Sequence, residues 1–393
     1  MKKISSIIIS LFVLASCSNV TPTPSNQVTT TNSPKTEVKA SKTINVGKVP
    51  HGMWQAGGFV YNSNIGEGTV SVIDTKTDLV VKTIKFEDGT PGYVKSFHDD
   101  KNVMITDTKK GELVIIDPAQ DHKIIQKISL GKSPDKIKVS DDDKKVFVSL
   151  VGENKIIALT FDTDRSKAPE KKEFTIGGML EKSEHRSLSF SDGWIATPNI
   201  ADNDVSLINT TTGVEKRLKD GNNPAVVDIG STGGKVSSII VGNTSSNTVT
   251  IFDINSDTKK TLSDVGLAPT ESVVVESLNR VFITMAGSNE VAVIDYDKKV
   301  LVGKIAVGKR PVHIYSIINE PTFKVKHDEN HADSLELWVG NDDGESISII
   351  DPMELKVKST ISVGKGHHKM AFTANKGYVS NITDNTVSII DRK

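Results

Sequence analysis

Apolar and polar residues alternate in short runs along most of this 393-residue chain, and the apolar residues in these runs are mostly Val and Ile. A period of two in β-branched residues predicts β-strands, whereas an amphipathic helix would show a period of 3.6. Many runs end in Asp or Asn, whose side chain can accept hydrogen bonds from the backbone two residues on. The clear cases end at Asp74, Asp117, Asn209, Asp253, Asp295, Asp351 and Asp391. The pattern therefore predicts an all-β chain built from one recurring unit.

The recurring unit has a length typical of one known architecture. The runs follow one another at intervals of about 45 residues, with a looser eighth copy over 156–162. A second series marks the opening of each unit: Gly47, Gly89, Gly131, Gly177, Gly221, Gly266, Gly308 and Gly364. Each unit has room for four short strands, which is typical of a β-propeller blade. Eight openings predict eight four-stranded blades, and seven is the alternative if the third or seventh unit is irregular.

The two ends of the repeat region complement each other. The eighth unit stops at Lys393 without a fourth strand, while 42–46 has the pattern of a fourth strand with no first three before it. Pairing these two segments would seal the ring and remove both exposed sheet edges. The sequence thus predicts a single β-propeller over 42–393 that is closed by an N-terminal strand. Because such a ring has no free edge to pair, a monomer is expected.

The repeats also resemble a known family. Tyr378-Val-Ser-Asn381, followed by Asp384-Asn-Thr-Val-Ser-Ile-Ile-Asp391, is similar to the YVTN β-propeller repeat, and variants recur at 60–64, 202–205 and 288–291. The resemblance covers about residues 43–393. It implies the propeller fold but does not choose among the binding proteins, surface-layer components, lactonases and cofactor-carrying enzymes that share such repeats.

The first forty residues indicate an address in the cell envelope. Lys2 and Lys3 precede an apolar run over 4–15, too short to span a bilayer, and the run ends in Leu14-Ala15-Ser16-Cys17. This ending resembles a bacterial lipobox, with Cys17 as the lipid attachment site and 1–16 as the signal peptide. An ordinary secretory signal with an accidental Cys is the alternative. Residues 17–41 are rich in Thr, Pro and Ser and predict a flexible tether behind the acylated (palmitate-type) Cys.

The predicted location follows from this leader. A lipid on Cys17 makes the membrane itself a partner and places the propeller outside the cytoplasm, either at the outer membrane or on the outer face of the cytoplasmic membrane. A net charge of −1 provides no broad basic face, so nucleic acid is not an expected partner. The single Cys excludes Cys-cluster metal sites within the chain.

Histidines are the main candidates for chemistry. The turn leading into the first strand of each unit carries Pro in six copies, and His51, His313 and His367-His368 lie at or beside this turn in units one, seven and eight. These units are consecutive in a closed ring, and His185 begins the equivalent turn of unit four. Imidazoles gathered in this way could hold a transition metal or ligate haem iron. Loop histidines bonded to neighbouring blades, and an acid–base role, are the alternatives.

This placement of histidines resembles the eight-bladed haem d1 propellers of nitrite reductases and their lipoprotein relatives in haem d1 assembly. The chain departs from that pattern because it has no CxxCH motif, and therefore no covalent c-type haem is implied. A second histidine pair, His327 and His331, is predicted to belong to a solvated loop. Trp54, Trp194 and Trp338 lie on predicted strands and are expected to pack between blades.

Three functions follow from these features. The first is a membrane-anchored binding or scaffold protein that presents a propeller face to an envelope protein or a small ligand. The second is a metal- or haem-handling lipoprotein that uses the histidines. The third is a lactonase- or dehydrogenase-like enzyme with charges from Glu184, Arg186, Glu271 and Arg310, although no nucleophile–base pair or Gly-x-Ser-x-Gly motif is present. The first is preferred, and an enzyme is not expected.

Overall fold

The computed structural model describes residues 38–97, 100–140, 142–162, 167–178, 188–219, 221–318 and 335–392. These residues form eight sheets, and in each sheet four antiparallel strands run from the inside of the molecule to the outside. The inner strands of all eight neighbouring sheet pairs contact each other, including the first and the last. The chain is therefore a closed eight-bladed β-propeller, which confirms the predicted fold and excludes seven blades.

Blades 1 to 4 each follow one continuous stretch of chain. Their strands, from inner to outer, are Pro50–Ala56, Phe59–Asn64, Thr69–Asp74 and Leu79–Lys85; Pro91–Phe97, Asn102–Asp107, Glu112–Asp117 and Lys123–Ser129; Pro134–Val139, Lys145–Leu150, Lys155–Thr160 and Glu170–Thr175; and Ser189–Ser191, Trp194–Asn199, Asp204–Asn209 and Glu215–Lys219.

Blades 5 to 7 repeat this order, and blade 8 takes its outer strand from the N-terminal side of the chain. Their strands are Pro224–Thr232, Lys235–Asn243, Thr248–Asp253 and Thr258–Leu262; Pro269–Val275, Arg280–Met285, Glu290–Asp295 and Val300–Ala306; Pro311–Ile318, Leu335–Asn341, Ser346–Asp351 and Lys356–Ser362; and His367–Phe372, Lys376–Asn381, Thr386–Asp391 and Lys42–Asn45. The described residues also form three short 3-10 turns, Pro118–Gln120, Glu276–Leu278 and Asp342–Gly344. Within these described ranges no helix is long and apolar enough to cross a bilayer.

The predicted closure of the ring is confirmed. Lys42–Asn45 pairs antiparallel with Thr386–Asp391, the last strand of the chain, with Ile44 opposite Val387. Side chains of blade 8 also bind the turn of blade 1, where Lys376 Nζ and Tyr378 Oη donate to the Asp78 carboxylate at 2.7 and 2.8 Å. The two chain ends are thus joined by both backbone and side-chain hydrogen bonds.

A fifth strand on blade 7 was not indicated by the sequence pattern. Val38–Lys39 runs parallel to the outer strand Lys356–Ser362, with Val38 opposite Ile361. These two residues fall inside the range predicted as a tether. The chain therefore crosses from the rim of blade 7 to the rim of blade 8 before it enters blade 1.

The Gly that opens each repeat unit packs against an Asn at the end of the second strand in several blades. In blades 1, 4, 5, 7 and 8 the amide nitrogen of this Asn donates to polar side chains five and seven residues later on the third strand; the five are Asn64, Asn199, Asn243, Asn341 and Asn381. The opening Gly packs on this amide, so that a Cβ at Gly308 would lie 2.5 Å from Asn341 and one at Gly364 would lie 2.7 Å from Asn381. A larger residue would displace the bridge between the strands.

The Asx turns that close the third strands are also confirmed. Asp74 Oδ1 accepts from the backbone N–H groups of Lys76 and Thr77 at 2.8 and 2.9 Å, and Asp253 and Asp351 make the same pair of bonds. These bonds turn the chain from the third strand into the outer strand without using another side chain.

The hydrophobic core consists of eight clusters, one between each pair of neighbouring blades. Alternating Val and Ile side chains supply both faces of every sheet, which is why each blade packs on two neighbours. The three tryptophans pack in these clusters as predicted: Trp54 between blades 1 and 2, Trp194 between blades 4 and 5, and Trp338 between blades 7 and 8.

Candidate functional site

A backbone irregularity at the start of the inner strand determines which side chains face the centre. In each of the seven blades whose inner strand is described from its first residue, the register shifts within the first few residues. Such bulges redirect side chains and are common beside functional sites. Six of these strands begin with Pro, and His367 takes the same place in blade 8, where it pairs with Asn381 as Pro311 pairs with Asn341.

The residue two positions after this start is called the channel position. It is occupied by Tyr93, Lys136, Glu271, His313 and Lys369 in blades 2, 3, 6, 7 and 8. These five side chains meet although the outermost two are 276 positions apart, as Tyr93 lies next to the ammonium groups of both Lys136 and Lys369. They are named the channel cluster here. Convergence of one repeat position from five blades produces a site that no single blade contains.

Blades 8 and 1 meet where the two ends of the chain are joined, and this joint is called the seam here. The part of the channel cluster next to the seam, from blades 6, 7 and 8, is a hydrogen-bonded network. His313 Nδ1 lies 2.7 Å from Glu271 Oε2, and Lys369 Nζ donates to Glu271 Oε1 at 3.4 Å and lies 3.3 Å from His313 Nδ1. His313 is almost fully buried and the Lys369 side chain is 7% exposed, while Glu271 is 30% exposed. Since the carboxylate can only accept, His313 carries its proton on Nδ1. Glu271 therefore fixes both the cation and the tautomer of the imidazole.

Electrostatics keep this network charged. Burial alone would raise the pKa of Glu271, but Lys369 and His313 hold it well below its usual value. Burial likewise disfavours the charged form of Lys369, yet the pKa of Lys369 is raised above its ordinary value, chiefly by Glu271. A carboxylate and an ammonium are therefore both ionised near the centre of the ring at neutral pH.

The four histidines predicted from units one, seven and eight come together beside this network. The ring centroids of His51 and His368 are 4.1 Å apart, those of His313 and His368 are 4.8 Å apart, and those of His313 and His367 are 6.5 Å apart. His51 and His368 are half-buried, whereas His313 and His367 are buried. The convergence across the seam follows directly from ring closure. His185 lies outside the described residues.

Two of these imidazoles are neutral at physiological pH. Burial lowers the pKa of His367 to about 4. Burial, together with the neighbouring His51, His313 and Lys369, lowers the pKa of His368 well below its usual value. His368 Nδ1 lies 3.2 Å from the backbone oxygen of His51, an acceptor, so Nδ1 donates and Nε2 carries the free electron pair.

A centre in which several residues hold one metal ion is not evident. In the part of the chain that the structure describes, no three His, Cys, Asp or Glu side chains are arranged to hold a metal ion. The predicted metal set of His51, His313, His367, His368 and His185 therefore stays a prediction. A single neutral imidazole, such as that of His368, retains the donor atom that a haem iron would need.

Lysines and aromatic rings form the other side of the channel and were not singled out from the sequence. Lys95 Nζ lies 3.1 Å from the centroid of the Trp54 ring, and Lys136 Nζ lies 4.7 Å from the centroid of Tyr93. A small cavity beside these rings is bordered by Trp54, Tyr93, Tyr315 and Lys369. Burial and the charge of Lys138 lower the pKa of Lys95 to about 7, against the opposing effect of Asp100.

Asp228 of blade 5 is the second acid that faces the channel. Its carboxylate accepts from Ser272 Oγ at 2.5 Å and from Ser189 Oγ at 3.2 Å. Burial raises the pKa of Asp228, although Lys138 and the two serines act in the opposite direction. The signal for these residues was available in the repeat alignment, because they all lie two to four positions after the start of an inner strand.

Of the remaining predicted residues, Arg310 acts on this site through its charge, which adds to the effect of burial in lowering the pKa of His367. Arg310 lies at the rim and pairs with Asp342 and Asp343 of the same blade. Cys17, Glu184, Arg186, His327 and His331 lie outside the described residues.

Comparison with known proteins supports the fold and leaves the function open. No family model and no curated protein matches this chain. Among solved structures, the dihydro-heme d1 dehydrogenase NirN in complex with DHE is similar with a TM-score of 0.62 and 15% identity, over 81% of this chain and 67% of that one. Sqt1 of Chaetomium thermophilum bound to the N-terminus of ribosomal protein L10 has a TM-score of 0.74 at 11% identity, over 91% of this chain and 100% of that one.

Virginiamycin B lyase from Staphylococcus aureus is a third similar structure, with a TM-score of 0.53 at 11% identity over 90% of this chain and 99% of that one. A dehydrogenase, a lyase and a ribosomal-protein partner thus share this architecture. At such identities the similarity concerns the backbone, and function depends on the site. The chain is a β-propeller of eight four-stranded blades.

Proposed function

We propose that this chain is a lipid-anchored binding protein of the cell envelope, and that it binds a small ligand at the mouth of its channel. The mouth is the end of the channel at which His51, His313, His367 and His368 come together. The observation that supports this most is the convergence of charged and imidazole side chains from blades 1, 2, 3, 6, 7 and 8 at one end of the inner strands. Blade 5 has the apolar Val226 at its channel position, so the fold itself does not require polar groups there. Buried charges without a structural need are typical of functional sites.

The mouth has the properties that ligand recognition requires. Glu271, His313 and Lys369 hold one another in place, so binding would not have to order them. His51 and His368 are half-buried beside them, so each residue keeps part of its surface exposed. Trp54 and Tyr93 add aromatic surface within the same channel. A few fixed polar groups beside aromatic walls are the usual composition of a small-molecule site.

The anchor is the second part of the proposal. It is supported by the lipobox-like Leu14-Ala15-Ser16-Cys17 and by the polar composition of the residues that follow. A lipid on Cys17 would keep the propeller near the membrane while the tether lets it reach ligands or proteins in the surrounding compartment.

Haem or metal handling is a second candidate, and one observation favours it. The neutral His368 bonds through Nδ1 and so directs an electron pair to Nε2, which is the arrangement of an axial haem ligand. Titration of the protein with haemin, followed by absorption in the Soret region, tests this candidate. A saturable band that is lost in His368→Ala and kept in His122→Asn would support it, and identical spectra for all three proteins would contradict it.

Native mass spectrometry tests the main proposal. The mature chain is isolated from membranes of the producing cells, together with His51→Ala, His368→Ala and the control His122→Asn. His122 lies away from the mouth, bonded to Tyr61, and Asn tolerates its positive φ of 56°. We expect one non-covalent ligand per chain in the wild type and control that is lost from the mouth variants, and a lipid mass that is lost in Cys17→Ser. If the wild type and every variant show only the mass of the chain without a non-covalent ligand, ligand binding is contradicted.

A further inference from the structure

Lys136 is a buried cation that lacks a carboxylate partner among the described residues. The residue is 9% exposed, and the ring of Tyr93, 4.7 Å away, is the contact made by its ammonium group. Glu271 is near enough for Lys136 to lower its pKa, but both Glu271 oxygens are hydrogen-bonded to His313 and Lys369. A buried charge is costly unless it is paired, and lysine is seldom buried without a partner. A bound anion would therefore form a favourable ion pair with Lys136.

Two further lysines extend this positive region across the channel. Lys369 Nζ lies 5.9 Å from the same Tyr93 ring, on the channel position of blade 8. Lys95 Nζ lies on the face of Trp54, which borders the same small cavity as Tyr93 and Lys369. Aromatic faces attract a cation but do not neutralise it. Three lysines from blades 2, 3 and 8 thus lie against Trp54 and Tyr93, the aromatic rings that border this cavity, and they are called the lysine wall here.

The acidic groups of the channel do not balance these charges. Glu271 is committed to His313 and Lys369 on the seam side. Asp228 is held by Ser189 and Ser272, and burial shifts its pKa upward, which reduces its negative charge. Glu271 thus offsets the charge of Lys369, and Asp100 acts against the loss of charge on Lys95, so Lys136 is the cation of this wall that no carboxylate among the described residues pairs with.

We propose that Lys95, Lys136 and Lys369 form an oxyanion site in the channel, and that the ligand taken at the mouth carries a carboxylate or phosphate group. This proposal rests on the proposed function, since it assigns the chemical class of that ligand. The oxyanion would accept hydrogen bonds from Lys136 and Lys95, while Lys369 would be shared between the ligand and Glu271. Such charge-assisted bonds are the strongest that a lysine wall can supply.

The proposal makes a specific statement about stability. If Lys136 serves only the fold, its neutral variant Lys136→Gln should be less stable than the wild type. If Lys136 is held for a ligand, removing the unpaired charge should raise the thermal midpoint of the ligand-free protein by about 1–3 °C while it weakens oxyanion binding. Opposite changes in stability and affinity distinguish a binding residue from a structural one.

Calorimetric titration with succinate and with inorganic phosphate, in separate arms at low ionic strength, tests the proposal on the mature chain. Lys136→Gln and Lys95→Gln should each weaken binding by about tenfold or more. The matched control is Lys260→Gln, which changes an exposed lysine on the outer strand of blade 5 and should stay within about twofold of the wild type. The arm that binds more tightly identifies the carboxylate or the phosphate as the preferred group.

The outcomes separate this proposal from the one on which it rests. Absence of binding in both arms, or binding that Lys136→Gln leaves unchanged, overturns the oxyanion site, as does a lower stability of Lys136→Gln. If native mass spectrometry still reveals a ligand that depends on His51 and His368, the mouth remains a binding site for a ligand without an oxyanion. If neither experiment detects a ligand, both proposals fail.

Discussion

Blades 5 and 8 have the same backbone at the start of the inner strand and opposite chemistry. In each, the first residue pairs with the Asn that ends the second strand, Asn243 or Asn381, and both Asn side chains make the same bonds to the third strand. Blade 5 continues with Ala225 and Val226, whereas blade 8 continues with His368 and Lys369. The repeat therefore fixes where side chains point, and substitutions at a few positions make the site.

The two blades also differ in how they are assembled. Blade 5 is one continuous stretch, and blade 8 combines the last three strands of the chain with Lys42–Asn45. The imidazoles of the mouth lie across this seam, so the site depends on the joint between the chain ends.

The largest effect is expected from opening the seam. A chain that begins at Gly47 lacks the outer strand of blade 8 and loses Ile44 and Val46, which pack on the cluster between blades 8 and 1. We expect its thermal midpoint to fall by about 10 °C or more, because an edge and an apolar surface are both exposed. A chain that begins at Ser41 is the control and should stay close to wild type. Equal midpoints for the two truncations would contradict the role of the seam.

A smaller loss of stability is expected from Glu271→Gln, which removes the carboxylate at the channel position of blade 6, where blade 5 has the apolar Val226. The change leaves Lys369 buried without its carboxylate and replaces one of the two acceptor oxygens by an amide donor, so the free energy of unfolding at pH 7 should fall by about 2–4 kcal/mol in denaturant titrations. Arg310→Gln removes an exposed pair at the rim and should cost about 0.5 kcal/mol or less. Equal effects of the two changes would show that the Glu271 network is not important.

The third prediction concerns His367→Pro, which gives the inner strand of blade 8 the same first residue as that of blade 5. His367 has a pKa of about 4 when folded, and its ordinary value is about 6.5, so between these values the unfolded chain binds more protons. Stability should therefore decrease as the pH falls from 6.5 to 4, and His367 should contribute about 2–3 kcal/mol to the loss.

His367→Pro should remove that contribution without disturbing the fold. The preceding residue, Gly366, has a φ of 63°. The residues that precede five of the prolines have φ values within about 20° of this one, so the backbone of blade 8 already has the form found before Pro; the five are Pro50, Pro134, Pro224, Pro269 and Pro311. Unfolding free energies are compared at pH 7 and pH 4.5. If the variant loses as much stability as the wild type on acidification, burial of His367 is not the cause of the loss.

The smallest expected effect concerns Lys95. Its pKa of about 7 lies below the ordinary value, so its positive charge disappears as the pH rises through 7. The groups that face it are Lys138, which lowers the pKa, and Asp100, which opposes this effect. Oxyanion affinity measured by calorimetry should fall by up to about tenfold between pH 6 and pH 8.5, with a weaker dependence in Lys95→Gln. An affinity that rises with pH would contradict the assignment.

The alternation and the repeat length were sufficient to predict the strands, the eight blades and the closing strand Lys42–Asn45. They also placed His51, His313, His367 and His368 together, because histidines at or beside the same turn of the repeat are easy to notice. Lys95 and Lys136 were missed, since lysine on a strand usually faces solvent. Their burial depends on the bulge at the start of the inner strand and on Tyr93 and Trp54 from neighbouring blades. The repeat alignment gives their positions on the inner strands, but which of these side chains touch across the channel depends on the bulge and on the closed ring.

Histidine-selective NMR of the whole mature chain is the most direct test of the central claim that ligands bind at the mouth. Succinate and inorganic phosphate are added in turn while the imidazole nitrogen signals are followed. We expect the signals of His313 and His368 to shift with the same saturation as calorimetric binding, and the signal of His122 to stay unchanged. Saturable binding that moves His122 and leaves the mouth histidines unchanged would contradict it.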